Sequence, residues 1–206
     1  MDSIGLLWDA GSTGVLAPAI PAAPDPRYRY LRVEVEGHPP GLLVLGYVDA
    51  TPNGPVEVWY SGTQEALRLQ DGRLVGFTGN SHTWRAVQWQ PAPPAWGQVG
   101  AQGARYIRQR DTMPGYHFGL QEAMQLQPWS GLPPLALPAS LPADKARSYQ
   151  WHQERATPLG ASPALPAAWF AWGRHLGVPT IVYSEQCLAP DFCLKLQRWP
   201  VRDEAP

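Results

Sequence analysis

The stretch ARYIRQRDTMPGYHFG, residues 104 to 119, places basic residues at alternating positions and follows them with Asp111, a Pro-Gly turn and an aromatic pair. Alternate residues of a strand share a face. Arg108, Arg110, Asp111 and Tyr116 are candidates for a polar site on a sheet edge, with donors able to grip an anionic sugar. The competing structural role is an Arg108 or Arg110 pair with Asp111 that holds a strand end. Acid–base chemistry has four candidates in Asp111, Glu122, Glu185 and Asp191. A glycosidase needs two carboxyls facing one cleft, and sequence separation alone does not bring these together. The histidines at 38, 82, 117, 152 and 175 show no HxH or HExxH spacing, so no metal site is expected. The serines lack a G-x-S-x-G elbow and no glycine-rich phosphate loop precedes a helix, so neither nucleophilic nor nucleotide chemistry, nor any cofactor, is expected.

Tryptophan is the strongest compositional signal, at 10 residues against 24 prolines and 16% charged residues. Exposed indole faces stack on pyranose rings, so Trp59, Trp84, Trp89, Trp151, Trp169 and Trp172 are candidates for a glycan surface. For any single ring the core is the first expectation, because each buries a large area and its N–H needs only one partner. Trp59 is the preferred stacking candidate beside Arg108, Arg110, Asp111 and Tyr116. A net charge of -1 without a lysine or arginine cluster excludes the electrostatic footprint of a nucleic-acid binder.

The elements that position these residues are strands. Asp71-Gly72 between ALRLQ and RLVGF is a preferred pair for a type I′ hairpin, setting Leu69 opposite Leu74 and Arg68 opposite Val75. YRYLRVEVE alternates with one in-phase step read as a bulge, LLVLGYV is a more continuously apolar strand, and TPNGP turns the chain into VEVWY. Together these make a five-strand antiparallel meander. HTWRAVQWQ and ARYIRQRD continue as strands, YHFGLQEAMQLQPW permits a strand or a short helix, and ARSYQWHQER, AAWFAWG, PTIVYSEQ and FCLKLQRW are strands of the last third. The expected fold is mainly β, with antiparallel sheets forming a sandwich or open barrel and little helix. An extended proline-rich lead occupies residues 1–26, with one helical turn near Ile4 to Trp8. Residues 27–206 form a single β domain with a proline-rich internal linker near 128–144.

The order LLVLGYVD, VEVWYSGTQEALRLQDGRLVGFTGN, YIRQRDTMPGYHFG and VYSEQCLAP resembles the group 4 capsule polysaccharide lipoprotein family, of the YjbF/GfcB type. The matching features are Trp59 and Ser61, Asp71 to Val75, Thr78-Gly79, Asp111 with Pro114 to Tyr116, and Ser184 with Gln186. The resemblance runs from about Arg27 onward and rests on collinear order. It implies a mainly β, non-enzymatic accessory lipoprotein of the periplasm, tethered to the outer membrane through an N-terminal lipid and serving exopolysaccharide or capsule export. Its partners would be polysaccharide and other export-machinery proteins. The segment ATPLGASPALPAAWFAWGRHLGVP departs from the family's Asn-aromatic-Trp-Val-Asp run, which implies local rebuilding there. A soluble carbohydrate-binding module and a polysaccharide-modifying hydrolase are the alternatives.

No run of 18 apolar residues is present, so no helix is expected to span a bilayer. The opening MDSIGLLWDAGSTG lacks the charged start and long apolar core of a signal peptide, leaving a cytosolic protein or one whose export signal has been removed. Cys187 and Cys193 flank a Pro-Asp turn in EQCLAPDFCLKL, a spacing unlike zinc or redox motifs, and a disulfide between them points to an oxidising compartment. Closing so short a loop stabilises by about 2 to 2.5 kcal/mol on the chain-entropy estimate. Mass spectrometry of the non-reduced, oxidatively folded protein should find no free thiol; two free thiols would refute both the bridge and the compartment.

Overall fold

The computed structural model describes residues 20, 24–79 and 82–201. The lead expected over residues 1–26, including its helical turn, lies almost wholly outside them. The described chain is a meander of twelve strands: β1 (Tyr30–Val35), β2 (Gly41–Thr51), β3 (Gly54–Tyr60), β4 (Ala66–Gln70), β5 (Arg73–Thr78), β6 (Thr83–Gln90), β7 (Ala104–Met113), β8 (His117–Trp129), β9 (Gln150–Pro158), β10 (Ala168–His175), β11 (Val178–Ala189) and β12 (Phe192–Trp199). Each pairs antiparallel with the next, and β12 pairs with β1, so the sheet closes into a barrel. The mainly antiparallel β character is as the sequence indicates; the ring is closed, so none of the described strands is left as a free edge.

The Asp71-Gly72 hairpin forms with both residues at positive φ, 48° and 77°, the backbone of a type I′ turn. Leu69 lies opposite Leu74, but a bulge at Arg68/Leu69 sets Arg68 opposite Gly76 instead of Val75. A Cβ on Gly76 would stand 3.0 Å from the Arg68 Cδ, so the glycine makes room for the arginine stem. The bulge expected in β1 is absent, since its pairing with β2 and β12 is regular. Irregularity falls instead at Gly46 in β2, where a Cβ would meet the Tyr60 ring at 2.6 Å. Beyond that point Tyr47 and Val48 are exposed, so β2 is not apolar on both faces. A further bulge, in β6 between Arg85 and Gln88, changes the phase of the strand. Trp84 then packs in one core cluster with Val87 against it, while Trp89 packs against another. The β8 segment is strand throughout, and in ARSYQWHQER the first residues end a short helix, α1 (Ala143–Arg147), before β9 begins.

Eight strands already enclose a lumen that side chains just fill, so twelve leave space to be occupied. The β4–β5 hairpin occupies it. Gln186 on β11 accepts from Leu74 N at 2.8 Å and donates to Gly72 O at 2.9 Å, and a Cβ on Gly72 would stand 2.5 Å from Ile181. The indole of Trp96, in a 3₁₀ turn after β6, donates to Asp71 O at 2.8 Å. Arg73, 3% exposed, donates from Nε to Glu154 Oε1 on β9 at 2.9 Å, and Tyr106 Oη on β7 donates to the same oxygen. The Arg73 guanidinium also lies 3.8 Å from the Trp96 ring centroid.

On the outer face, the proline-rich residues 130–142 and α1 run as a strap over the last four strands. Leu132, Leu135, Leu137, Leu141 and Ala146 pack with Trp151, Trp169 and Tyr183. Polar ties fix the strap, Lys195 Nζ donating to Ala136 O at 2.9 Å and Ser140 Oγ to Gln197 Oε1 at 2.6 Å.

Removing one partner of a buried pair leaves an unmatched charge and costs about 3–5 kcal/mol. Glu154→Ala should therefore lower stability by about that amount in urea denaturation, while Arg68→Ala, on the exposed side of the same hairpin, should cost less than about 1 kcal/mol. Equal losses would show that the lumen does not depend on this tie.

Candidate functional site

One end of the barrel opens into a cavity of about 440 Å³. Four connections surround it: the β5–β6 loop with His82, the β7–β8 hairpin with Met113, Pro114 and His117, the β9–β10 loop with Ser162, Pro163 and Leu165, and the β11–β12 turn with Leu188 and Pro190. Trp84 and Arg110 form its floor, and no Asp or Glu is among the described residues that line it. The disulfide between Cys187 and Cys193 joins opposed residues of β11 and β12 just below the turn that forms one wall.

The floor is an electrostatic unit. Glu122 is fully buried and receives Arg110 through Nε and Nη2, both at 2.9 Å, and Arg108 through Nε at 2.8 Å. Two guanidiniums thus share one carboxylate. Both also lie over Trp84, at 5.0 Å for Arg108 and 4.4 Å for Arg110 from its ring centroid, while the indole N–H donates to Leu188 O at 3.0 Å. Burial alone would raise the Glu122 pKa; the hydrogen bonds and charges of Arg110 and Arg108 outweigh it and hold the carboxyl below its ordinary value.

The residues singled out by sequence separate in space. Arg108 and Arg110 meet at the floor, paired with Glu122 and not with Asp111. Asp111 accepts from Gly119 N at 2.7 Å and so braces the β7–β8 hairpin. Tyr116 sits on the tip of that hairpin, 72% exposed, next to the equally open Phe118. Trp59 is 0% exposed in the core, donating to Glu57 Oε2 at 3.3 Å beneath the Arg198 guanidinium, and presents no free face to a sugar. Trp151 and Trp169 are buried under the strap. Glu185 faces Lys195 across β11 and β12, and burial, partly opposed by the Lys195 charge, raises its pKa. Neither Glu185 nor Glu122 is among the described residues that line the mouth.

The Glu122 pairing was open to a register argument. Gly115 centres the β7–β8 hairpin, and Arg108 and Glu122 each lie seven residues from it, opposite one another in the observed register. The lining contributed by Ser162, Pro163, Leu165 and Leu188 carries no such signal, because loops from distant parts of the chain supply it.

Among solved structures, the fold is similar to that of the hypothetical lipoprotein YmcC from Escherichia coli (K12), with a TM-score of 0.59 over 86% of each chain at 16% sequence identity. At that identity the likeness is one of fold. No family model and no curated protein matches the sequence.

Two buried groups give the barrel a defined acid response. Glu122 has a folded-state pKa below its ordinary 4.5, so its stabilisation is present above that pH and is lost as pH falls through the folded-state value. His152, beside Trp96 in the lumen, has its pKa lowered from 6.5 by burial and by the Arg73 charge. The unfolded chain therefore takes up this proton first, and stability declines as pH drops below 6.5. Urea midpoints measured between about pH 3 and pH 8 should fall in both windows. His152→Gln should flatten the upper window, and Glu122→Gln the lower one.

Proposed function

We propose that this protein is a non-enzymatic accessory lipoprotein of exopolysaccharide or capsule export, and that the barrel mouth over Trp84 and Arg110 holds a segment of the glycan. The observation that carries the reading is the mouth's lining. Proline, leucine and a tryptophan edge give flat apolar surface for the C–H faces of sugar rings, and Arg110, Thr112, His117 and Ser162 supply hydroxyl-directed polar groups. A carboxylate pair for acid–base cleavage is not part of it: Glu122 is bound ionised between two arginines, and Glu185 lies on another face.

The collinear sequence motifs support the pathway, and the shared fold with a hypothetical lipoprotein supports the lipid tether. The Cys187–Cys193 bridge supports the oxidising periplasm. Export-machinery proteins are the expected protein partners, with the exposed Tyr116 and Phe118 on one wall hairpin available to them.

The test is binding without turnover. Oligosaccharides from the host's own exported polysaccharide should bind the purified protein. Ser162→Trp, which fills the mouth from a loop, should weaken binding at least tenfold (about 1.4 kcal/mol) with little change in melting temperature. New reducing ends released on prolonged incubation, and abolished by Glu122→Gln or Glu185→Gln, would replace this reading with a hydrolase.

A further inference from the structure

We infer that the mouth selects acidic glycans, and that Arg110 is the residue that reads their carboxylate. This rests on the glycan-holding reading and adds the ligand's chemical class. The floor joins two guanidiniums to one carboxylate, leaving an excess of one positive charge beneath a cavity whose lining, among the described residues, contains no Asp or Glu. Glu122 engages Arg110 through Nε and Nη2, which leaves Nη1 out of that pair on a residue that lines the cavity. The arginine is itself 3% exposed, pinned by Glu122 on one side and stacked over Trp84 on the other. Its entropy is already spent in the folded state, so a carboxylate entering the mouth meets a fixed donor in a site of low dielectric.

A neutral sugar gains the apolar walls but leaves the excess charge uncompensated. An acidic sugar gains both. The hydroxyl of Thr112 and the ring of His117, from the same pair of strands as Arg110, also line the cavity and offer further donors around the incoming group.

The experiment uses one oligouronate and its carboxyl-reduced counterpart, identical in linkage and length, titrated against the protein by calorimetry at low salt. The oligouronate should bind about tenfold more tightly, the usual worth of one charge-assisted hydrogen bond. Arg110→Gln, in which Arg108 still partners Glu122, should bring the two ligands to equal affinity. Glu122→Gln removes the competing anion, and should maintain or increase the preference. A bracing role for the triad would make both substitutions weaken binding of both ligands alike. Equal affinity of the two ligands for the unmodified protein, or a preference that survives Arg110→Gln, overturns the inference while leaving glycan binding intact. Binding of neither ligand overturns the glycan reading itself.

Discussion

A closed ring of twelve strands cannot be filled by the side chains of its own walls, and the fold depends on how that space is taken up. Here a hairpin of the wall itself turns inward, and the Arg73–Glu154 ion pair secures it to the far side. The pair is viable when buried because each charge has further partners. Tyr106 donates to the same carboxylate oxygen, and the Trp96 face covers the guanidinium. Burial would lower the Arg73 pKa, yet Glu154 and Tyr106 together raise it, so the arginine stays charged. The same burial, with the Glu154 carboxylate alongside, drives the Tyr106 phenol upward and keeps it a donor. Gly72 follows from this arrangement, since only a residue without a side chain lets the turn approach Ile181.

The tryptophans answer to the same constraint. Trp59, Trp84 and Trp96 each lie under an arginine of the interior, and their indole N–H groups reach Glu57, Leu188 O and Asp71 O respectively. A wide barrel with buried arginines needs large flat surfaces to cover them, and tryptophan provides these while keeping one polar handle. The abundance that suggests a sugar-binding surface from sequence is therefore mostly spent inside. Trp84 alone among these three is both a core ring and part of the floor of the mouth.

What could be read from sequence was local. Asp71-Gly72 announced its turn through residue types that tolerate positive φ, and the alternation of Val33 and Val35 against Glu34 announced a half-buried strand. Closure was not legible, because the pairing of β1 with β12 joins Tyr30 to Trp199 and no local rule connects them. Arg108 and Arg110 stand out by type and spacing, but the carboxylate nearest them in sequence, Asp111, is not the one they pair with. Adjacent residues on a strand point to opposite faces, so the cross-strand Glu122 was the better candidate on geometry alone. The mouth was invisible for a different reason: its walls come from four loops spread over more than half the chain.

The lumen and the mouth are not independent. The small space between them is bordered by Trp84 and Arg108 from the floor above and by Glu154, Gln186 and Leu74 from the hairpin's anchorage below. The tie that holds the hairpin in the lumen thus also supports the floor on which Arg110 is stacked. A loop-built site is ordinarily adaptable, since its walls move with their connections. This one has a floor set on packed strands, with the ion pair, the indole and the disulfide below one wall all fixed before any ligand arrives. Its walls can vary with the loops while the charge at its base stays in place, so that in the proposed glycan-holding role the walls would accommodate the shape of a ligand and the base would read its charge.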